Sequence, residues 1–341
     1  MNNPVLIDTI KHNIQLAQAG SIGYERIYSN DGCAEYQHEF LFFLKPEITE
    51  KSGKIDHDAI LGLVFEKFSQ FDLQVKDISI LAASYLEKHE LIAQHYGVIN
   101  ALSRKPLEYF SNEAREKFTA LFGKSPEKVV LLGSIEFLRQ HRDYTPYSLD
   151  VLWQNSQAEK LAGGTYCAVI RMEGKDIYLI NGFHPRQLIH FTENGRSIVA
   201  FTLAGNTDWS IARNHFIGKT NPADALPGSL RKELLNRREE FGLRNVSASR
   251  NGFHLSAGPV EGLAELIRYC SDYASGKIKT TDDFLFGRQL KSHFIQEEIN
   301  LICGNHLVKH RGENIRTFDL TEEKNSLVAL QLLKECKFNM Q

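Results

Sequence analysis

At 341 residues the chain exceeds the usual size of one compact core, which implies two domains or one domain with sizeable insertions. An apolar share of 42%, a charged share of 24% and a formal net charge of −2 are those of an ordinary folded protein, with no basic excess for a nucleic-acid backbone. No apolar run approaches the roughly 20 residues that span a bilayer. The N-terminus has no basic flank leading into an apolar core, and the cysteines at 33, 167, 270, 303 and 336 are scattered without a Cys-x-x-Cys pair. These features predict a soluble, cytoplasmic protein with reduced thiols and exclude nucleic-acid and membrane partners.

Leu6, Ile10, Ile14 and Ala17 fall at helical spacing and predict a short amphipathic helix near the start. The run Glu39-Phe-Leu-Phe-Phe-Leu44 is short and continuously apolar, as a strand buried on both faces requires, and Lys45-Pro46 ends it. Ile60, Leu63, Val64 and Phe68 form one stripe of a helix between Ile55 and Phe71, with Asp56 and Asp58 at its positive end. Leu73 to Leu81 alternates as a strand, and Glu87 to Ile99, containing His95-Tyr96, is helical in pattern.

From about residue 111 to 192 the order is interrupted. Within this stretch Tyr166–Ile170 and Asp176–Ile180 flank Glu173-Gly174-Lys175 and predict a β-hairpin. Ser197 to Leu203 is the next strand, Trp209 to Ile217 is helical in pattern, a strand ends near His254, and a helix runs from about Pro259 to Tyr273. Without the interruption the order is β-α-β-β-α-β, the split βαβ arrangement of an α+β, ferredoxin-like core. The tail carries two further helical segments, at Phe294–Ile302 and Leu327–Lys334.

The chemistry concentrates in Arg250-Asn-Gly-Phe-His-Leu-Ser256 and the helix after it. His254 and Ser256 project to the same side of an extended chain, and Glu261 and Glu265 share one helical face. A nucleophilic imidazole needs one nitrogen unprotonated and a carboxylate on the other to hold the tautomer, and Glu265 suits that role. Lys45 at a strand end, Arg231 after Pro227-Gly228, Thr220 and Asn251 supply the donors that phosphoryl transfer requires. Singly each of these is ordinary, since a strand-end lysine is usually solvated and Asn-Pro usually starts a turn. Their combination is what points to phosphate.

These residues resemble nucleoside diphosphate kinases. The resemblance rests on Phe42-Phe-Leu-Lys-Pro46, His95-Tyr96, Gly218-Lys-Thr-Asn-Pro-Ala-Asp224, Pro227-Gly-Ser-Leu-Arg231 and Arg250-Asn-Gly-Phe-His-Leu-Ser256, in the family's order. It implies a phosphohistidine at His254, oriented by Glu265 and supported by Ser256, with Lys45, Tyr96, Arg213, Thr220, Arg231 and Asn251 holding a nucleoside triphosphate. Mg²⁺ would arrive on the phosphates, with no protein metal ligands, and a homo-oligomer is the family's usual assembly. The resemblance divides the chain into an extension (1–35), a core in two parts (36–125 and 195–275), an inserted subdomain (126–194) and a helical C-terminal extension (276–341). In the insertion, His184 and Arg186 are candidates for contacting an acceptor, against a plainer reading as exposed loop residues.

The sequence departs from the family at several positions. Leu255 and Ala257 stand where Gly and Asp are usual, Arg213 lies one residue from the expected arginine position, now Asn214, and no aromatic residue is found at 104. The insertion and these departures favour a non-standard nucleotide or pathway-specific acceptor over an ordinary nucleoside diphosphate. The alternative is a nucleotide-binding regulatory module that has lost phosphoryl transfer.

Overall fold

The computed structural model describes residues 4–30, 32 and 35–338, so Cys33 lies outside the described residues. The fold is α+β. The chain divides into two compact units, one of residues 1–85 with 194–341 and one of residues 86–193. The expected 126–194 insertion falls within the second unit except for its last residue, and that unit begins forty residues earlier than the insertion did, at Leu86.

The larger unit is built on a five-stranded antiparallel sheet ordered Tyr24–Ser29, Leu73–Ala82, Ser197–Gly205, His38–Leu44, Phe253–Leu255. Every residue of His38–Leu44 and of Ser197–Gly205 is buried, which is why both segments are dominated by apolar residues on both faces rather than alternating. On one face Phe40, Phe42, Leu44, Phe201, Phe253 and Leu255 join a core with the helices Pro4–Gln18 and His57–Gln70. The second of these helices is capped by Asp56, whose carboxylate accepts from the Ala59 amide at 2.9 Å. The helix Pro259–Cys270 packs against the His38–Leu44 strand. Its Tyr269 ring lies 5.5 Å from that of Phe43, on the face opposite the main core.

Three features were not expected. The strand Tyr24–Ser29 extends the sheet at one edge. The Trp209–Ile217 segment is a single helical turn followed by a π turn over Ala212–Ile217. The C-terminal extension is not wholly helical: besides the expected helices, found at Gln296–Cys303 and Ser326–Lys334, it carries a small sheet of Leu307–His310, Glu313–Arg316 and Cys336–Lys337. Its hairpin turns on Arg311 and Gly312, both at positive φ, and strands of four residues are too short to show a period in sequence.

The smaller unit has a four-stranded sheet ordered Val130–Gly133, Lys175–Ile180, Thr165–Met172, Ala158–Ala162. Its central hairpin closes on Glu173 and Gly174 with φ of 50° and 78°, the two positive values a twisted two-residue turn demands. Cys167, Cys270, Cys303 and Cys336 are free thiols. No described helix is long and apolar enough to cross a membrane.

Gly252 enters the last strand at φ 75°, and a Cβ there would stand 2.3 Å from Leu234 Cδ2 and 3.2 Å from Ile48 Cδ1. Both neighbours are fully buried. Gly276 has the same φ but open space around it, so the pair separates backbone strain from crowding. Gly276→Ala is expected to cost about 1 kcal/mol, and Gly252→Ala a further 1–3 kcal/mol, roughly, by overpacking, read as midpoints of urea unfolding.

Candidate functional site

The site is assembled on the edge strand Phe253–Leu255. Antiparallel pairing sets His254 directly opposite Phe43, and the two rings stack at 4.4 Å with 20° between their planes. Alternation turns Phe253 and Leu255 into the main core and leaves His254 on the opposite face. The same alternation brings Ser256 beside Leu41, where its Oγ accepts from the Leu41 amide at 3.2 Å and its own amide donates to the Leu41 carbonyl at 3.1 Å.

The helix Pro259–Cys270 then brings Glu265 back over the strand. A single carboxylate oxygen, Oε2, receives Ser256 Oγ–H at 2.7 Å and meets His254 Nε2 at 3.0 Å. The Glu265 side chain is 2% exposed and that of His254 16%, so water competes weakly for these bonds. With the proton of a neutral ring on Nε2, donated to Glu265, the lone pair resides on Nδ1. Such a ring is held by a carboxylate that a serine fixes in turn, and by an aromatic face, in an orientation suited to nucleophilic attack. Phe43 was legible only as a core residue, because its partnership with His254 depends on strand register.

The cationic groups converge on the flanks of the same strand. Lys45 Nζ donates to Asn251 Oδ1 at 2.7 Å, and Asn251, 1% exposed, donates in turn to the carbonyls of Thr220 at 2.9 Å and Ala248 at 3.1 Å. Thr220 itself is exposed. Asn251 therefore ties the strand-end lysine to the Thr-Asn-Pro loop. The Glu47 carboxylate accepts from the Gly252 amide at 2.8 Å and fixes the strand's entry, a role with no signal in the sequence pattern.

Arg231 is 5% exposed, and two of its donors are engaged by the Gly218 carbonyl at 2.8 Å and the Phe253 carbonyl at 2.9 Å. In this state it joins the 218 loop to the histidine strand. Arg213 donates from Nη1 to the Leu255 carbonyl at 2.8 Å, while Asn214 turns to Ser210 and Glu323. The segment Ala212–Ile217 that carries both residues is wound as a π turn, which takes an extra residue into a helix.

Tyr96, His184 and Arg186 belong to the smaller unit. His184 is fully buried at the start of the helix His184–Thr192, with Nδ1 3.1 Å from Gln187 Oε1 and Nε2 3.3 Å from Asn100 Oδ1. Burial pushes its pKa down to about 4. It is an interior residue at the start of a helix, which corrects its reading as an exposed loop residue. The half-buried Tyr96 meets the His184 ring edge-on at 6.3 Å, and Arg186 lies 4.5 Å above the ring of Tyr147.

Desolvation lowers the Lys45 pKa from 10.5 to about 8, with the Arg231 charge adding to the fall and Glu47 opposing it. Between these values the unfolded chain holds a proton that the folded chain has released, so this group makes stability rise with pH. The expected outcome is a urea midpoint that climbs more steeply between about pH 8 and 10.5 in the wild type than in Lys45→Met. Parallel profiles would mean that Lys45 titrates as an ordinary lysine.

No protein-family model and no curated protein matches the chain. Among solved structures it is similar to a nucleoside diphosphate kinase from Encephalitozoon cuniculi, at 14% identity and a TM-score of 0.33, covering 69% of this chain and 90% of that one. It is also similar to an NDP kinase from Pyrobaculum aerophilum, at 17% identity and a TM-score of 0.32, covering 71% of this chain and 99% of the other.

Proposed function

We propose that the chain is a nucleotide-dependent phosphotransferase that works through a phosphohistidine at His254, on a ferredoxin-like, nucleoside diphosphate kinase-like core. The observation that carries this reading is the convergence of His254 Nε2 and Ser256 Oγ on one buried oxygen of Glu265. That arrangement directs the imidazole lone pair to Nδ1, as a nitrogen nucleophile requires.

In the first half-reaction Nδ1 attacks the γ-phosphorus of a magnesium nucleoside triphosphate. The N–P bond forms, the bond to the β-phosphate oxygen breaks, and the diphosphate leaves with that electron pair. In the second, an acceptor oxygen attacks the phosphorus and returns the lone pair to Nδ1. Mg²⁺ belongs to the substrate and neutralises its oxygens. Lys45, Thr220, Asn251 and Arg213 are the groups suited to the phosphates and ribose, with Arg231 securing the loop that carries Thr220. The acceptor favoured here is a nucleotide or pathway compound other than an ordinary nucleoside diphosphate.

A second reading, a module that binds nucleotide without transferring phosphate, is favoured by one observation: Arg213 and Arg231 both direct guanidinium donors to backbone carbonyls. Incubation with γ-labelled nucleoside triphosphates separates the two. The transferase should acquire acid-labile label on one histidine, lose it in His254→Ala, and label roughly 100-fold more slowly in Glu265→Gln. Thermal stabilisation by nucleotides with no label from any of them would establish the binding module instead.

A further inference from the structure

Glu261 stands one helical turn before Glu265 on the same face of Pro259–Cys270 and has no part in the chemistry described above. Its Oε2 accepts from the Ala257 amide at 3.1 Å, the residue that directly follows Ser256. Two carboxyl groups thus bracket the end of the histidine strand, Glu265 on the side chains of His254 and Ser256, Glu261 on the backbone just beyond them.

Resting on the phosphotransferase reading, we infer that Glu261 is a positioning residue for His254: it is the proton-bearing member of the Glu261–Glu265 pair and confines the pair's single negative charge to Glu265. The charged groups facing it come from three elements. Glu265 lies on its own helix, Arg213 on the π turn, and Glu322 on the segment that follows the helix Thr317–Thr321. Burial and then the Glu265 charge raise the Glu261 pKa to about 8, Glu322 adds to the rise, and the Ala257 amide and Arg213 oppose it. The geometry gives the same order. Glu265 holds two side-chain donors on one oxygen and is the better-stabilised anion, whereas Glu261 receives the backbone amide of Ala257.

A neutral Glu261 has two effects on the reaction. It keeps a second negative charge from holding the imidazole as imidazolium, and it removes repulsion against the incoming phosphates. Glu322 places part of this control in the C-terminal extension, far along the chain from the histidine.

The test is a ¹⁵N NMR titration of the His254 imidazole in the full-length protein. The wild type should show an inflection near pH 8, transmitted from Glu261, that is absent in Glu261→Gln and moved to lower pH in Glu322→Gln. Alongside, phosphohistidine formation from γ-labelled triphosphate should fall by up to about tenfold more between about pH 7 and pH 9 in the wild type than in Glu261→Gln. The inference is overturned if the inflection persists in Glu261→Gln or is missing from the wild type. A wild type that never forms phosphohistidine removes the transferase reading, and the NMR inflection still decides the role of Glu261.

Discussion

The pairing of a three-residue edge strand, Phe253–Leu255, with His38–Leu44 is the constraint on which the rest of the site depends. Side chains alternate with a period of two, so a slip of one residue would carry His254 into the apolar cluster and expel Leu255 from it. The register is fixed from both ends. The Lys45 amide donates to the Gly252 carbonyl at 2.8 Å on one side of the histidine, and the Ser256 amide donates to the Leu41 carbonyl at 3.1 Å on the other. Core burial of Phe253 and Leu255 sets the sign of the alternation, and Phe43 then meets the imidazole face to face. So short a strand at the sheet edge also offers little unpaired backbone to another chain.

This register changes the meaning of Leu255. Beside the family pattern, which has glycine there, a leucine reads as an obstruction behind the histidine. In the fold it is fully buried on the face opposite His254, among Phe42, Phe253 and their neighbours. Ala257 is answered differently. Its carbonyl accepts from the Glu323 amide at 2.9 Å, and Gly258 sits so close to the Thr321 carbonyl that a Cβ would approach it to 2.4 Å. The segment 321–323 therefore packs against the backbone of Ala257 and Gly258, and Asn214 reaches the same segment through Glu323.

What was legible in sequence follows from which signals are local. Runs dominated by apolar residues marked the two buried central strands, the helical stripe of Ile60, Leu63, Val64 and Phe68 marked its helix, and Glu173-Gly174 marked the hairpin, because each pattern is set by short-range geometry. The Tyr24–Ser29 strand escaped because an edge strand half in water has no continuous apolar run. The π turn escaped because nothing in Ala212–Ile217 distinguishes it from an ordinary helical turn. His184 was misread as exposed because a histidine three residues beyond Asn181, at a strand end, looks like loop chemistry, while in the fold it is buried with Asn100, distant in the chain, as a partner. In the larger unit the motif residues around His254 were legible by type and order, but their division of labour was not. Only coordinates distinguish an arginine engaged by carbonyls from one open to phosphate.

That division has an electrostatic logic. A site that accepted a polyanion, as the phosphotransferase proposed above would, must hold cations in reserve without leaving them to repel one another. Lys45 is moderated by desolvation and by the neighbouring Arg231, and rests on a neutral amide rather than on a carboxylate. Arg213 and Arg231 rest on carbonyls, which satisfy guanidinium donors without cancelling their charge. Carboxylates would have held all three more tightly and would have had to be displaced by phosphate at a larger cost. The Glu265 carboxylate is engaged instead by the imidazole and by Ser256. The charges of the site are thus divided by their partners: the cations rest on backbone and amide oxygens that leave their charge in place, and the Glu265 carboxylate is committed to His254 and Ser256.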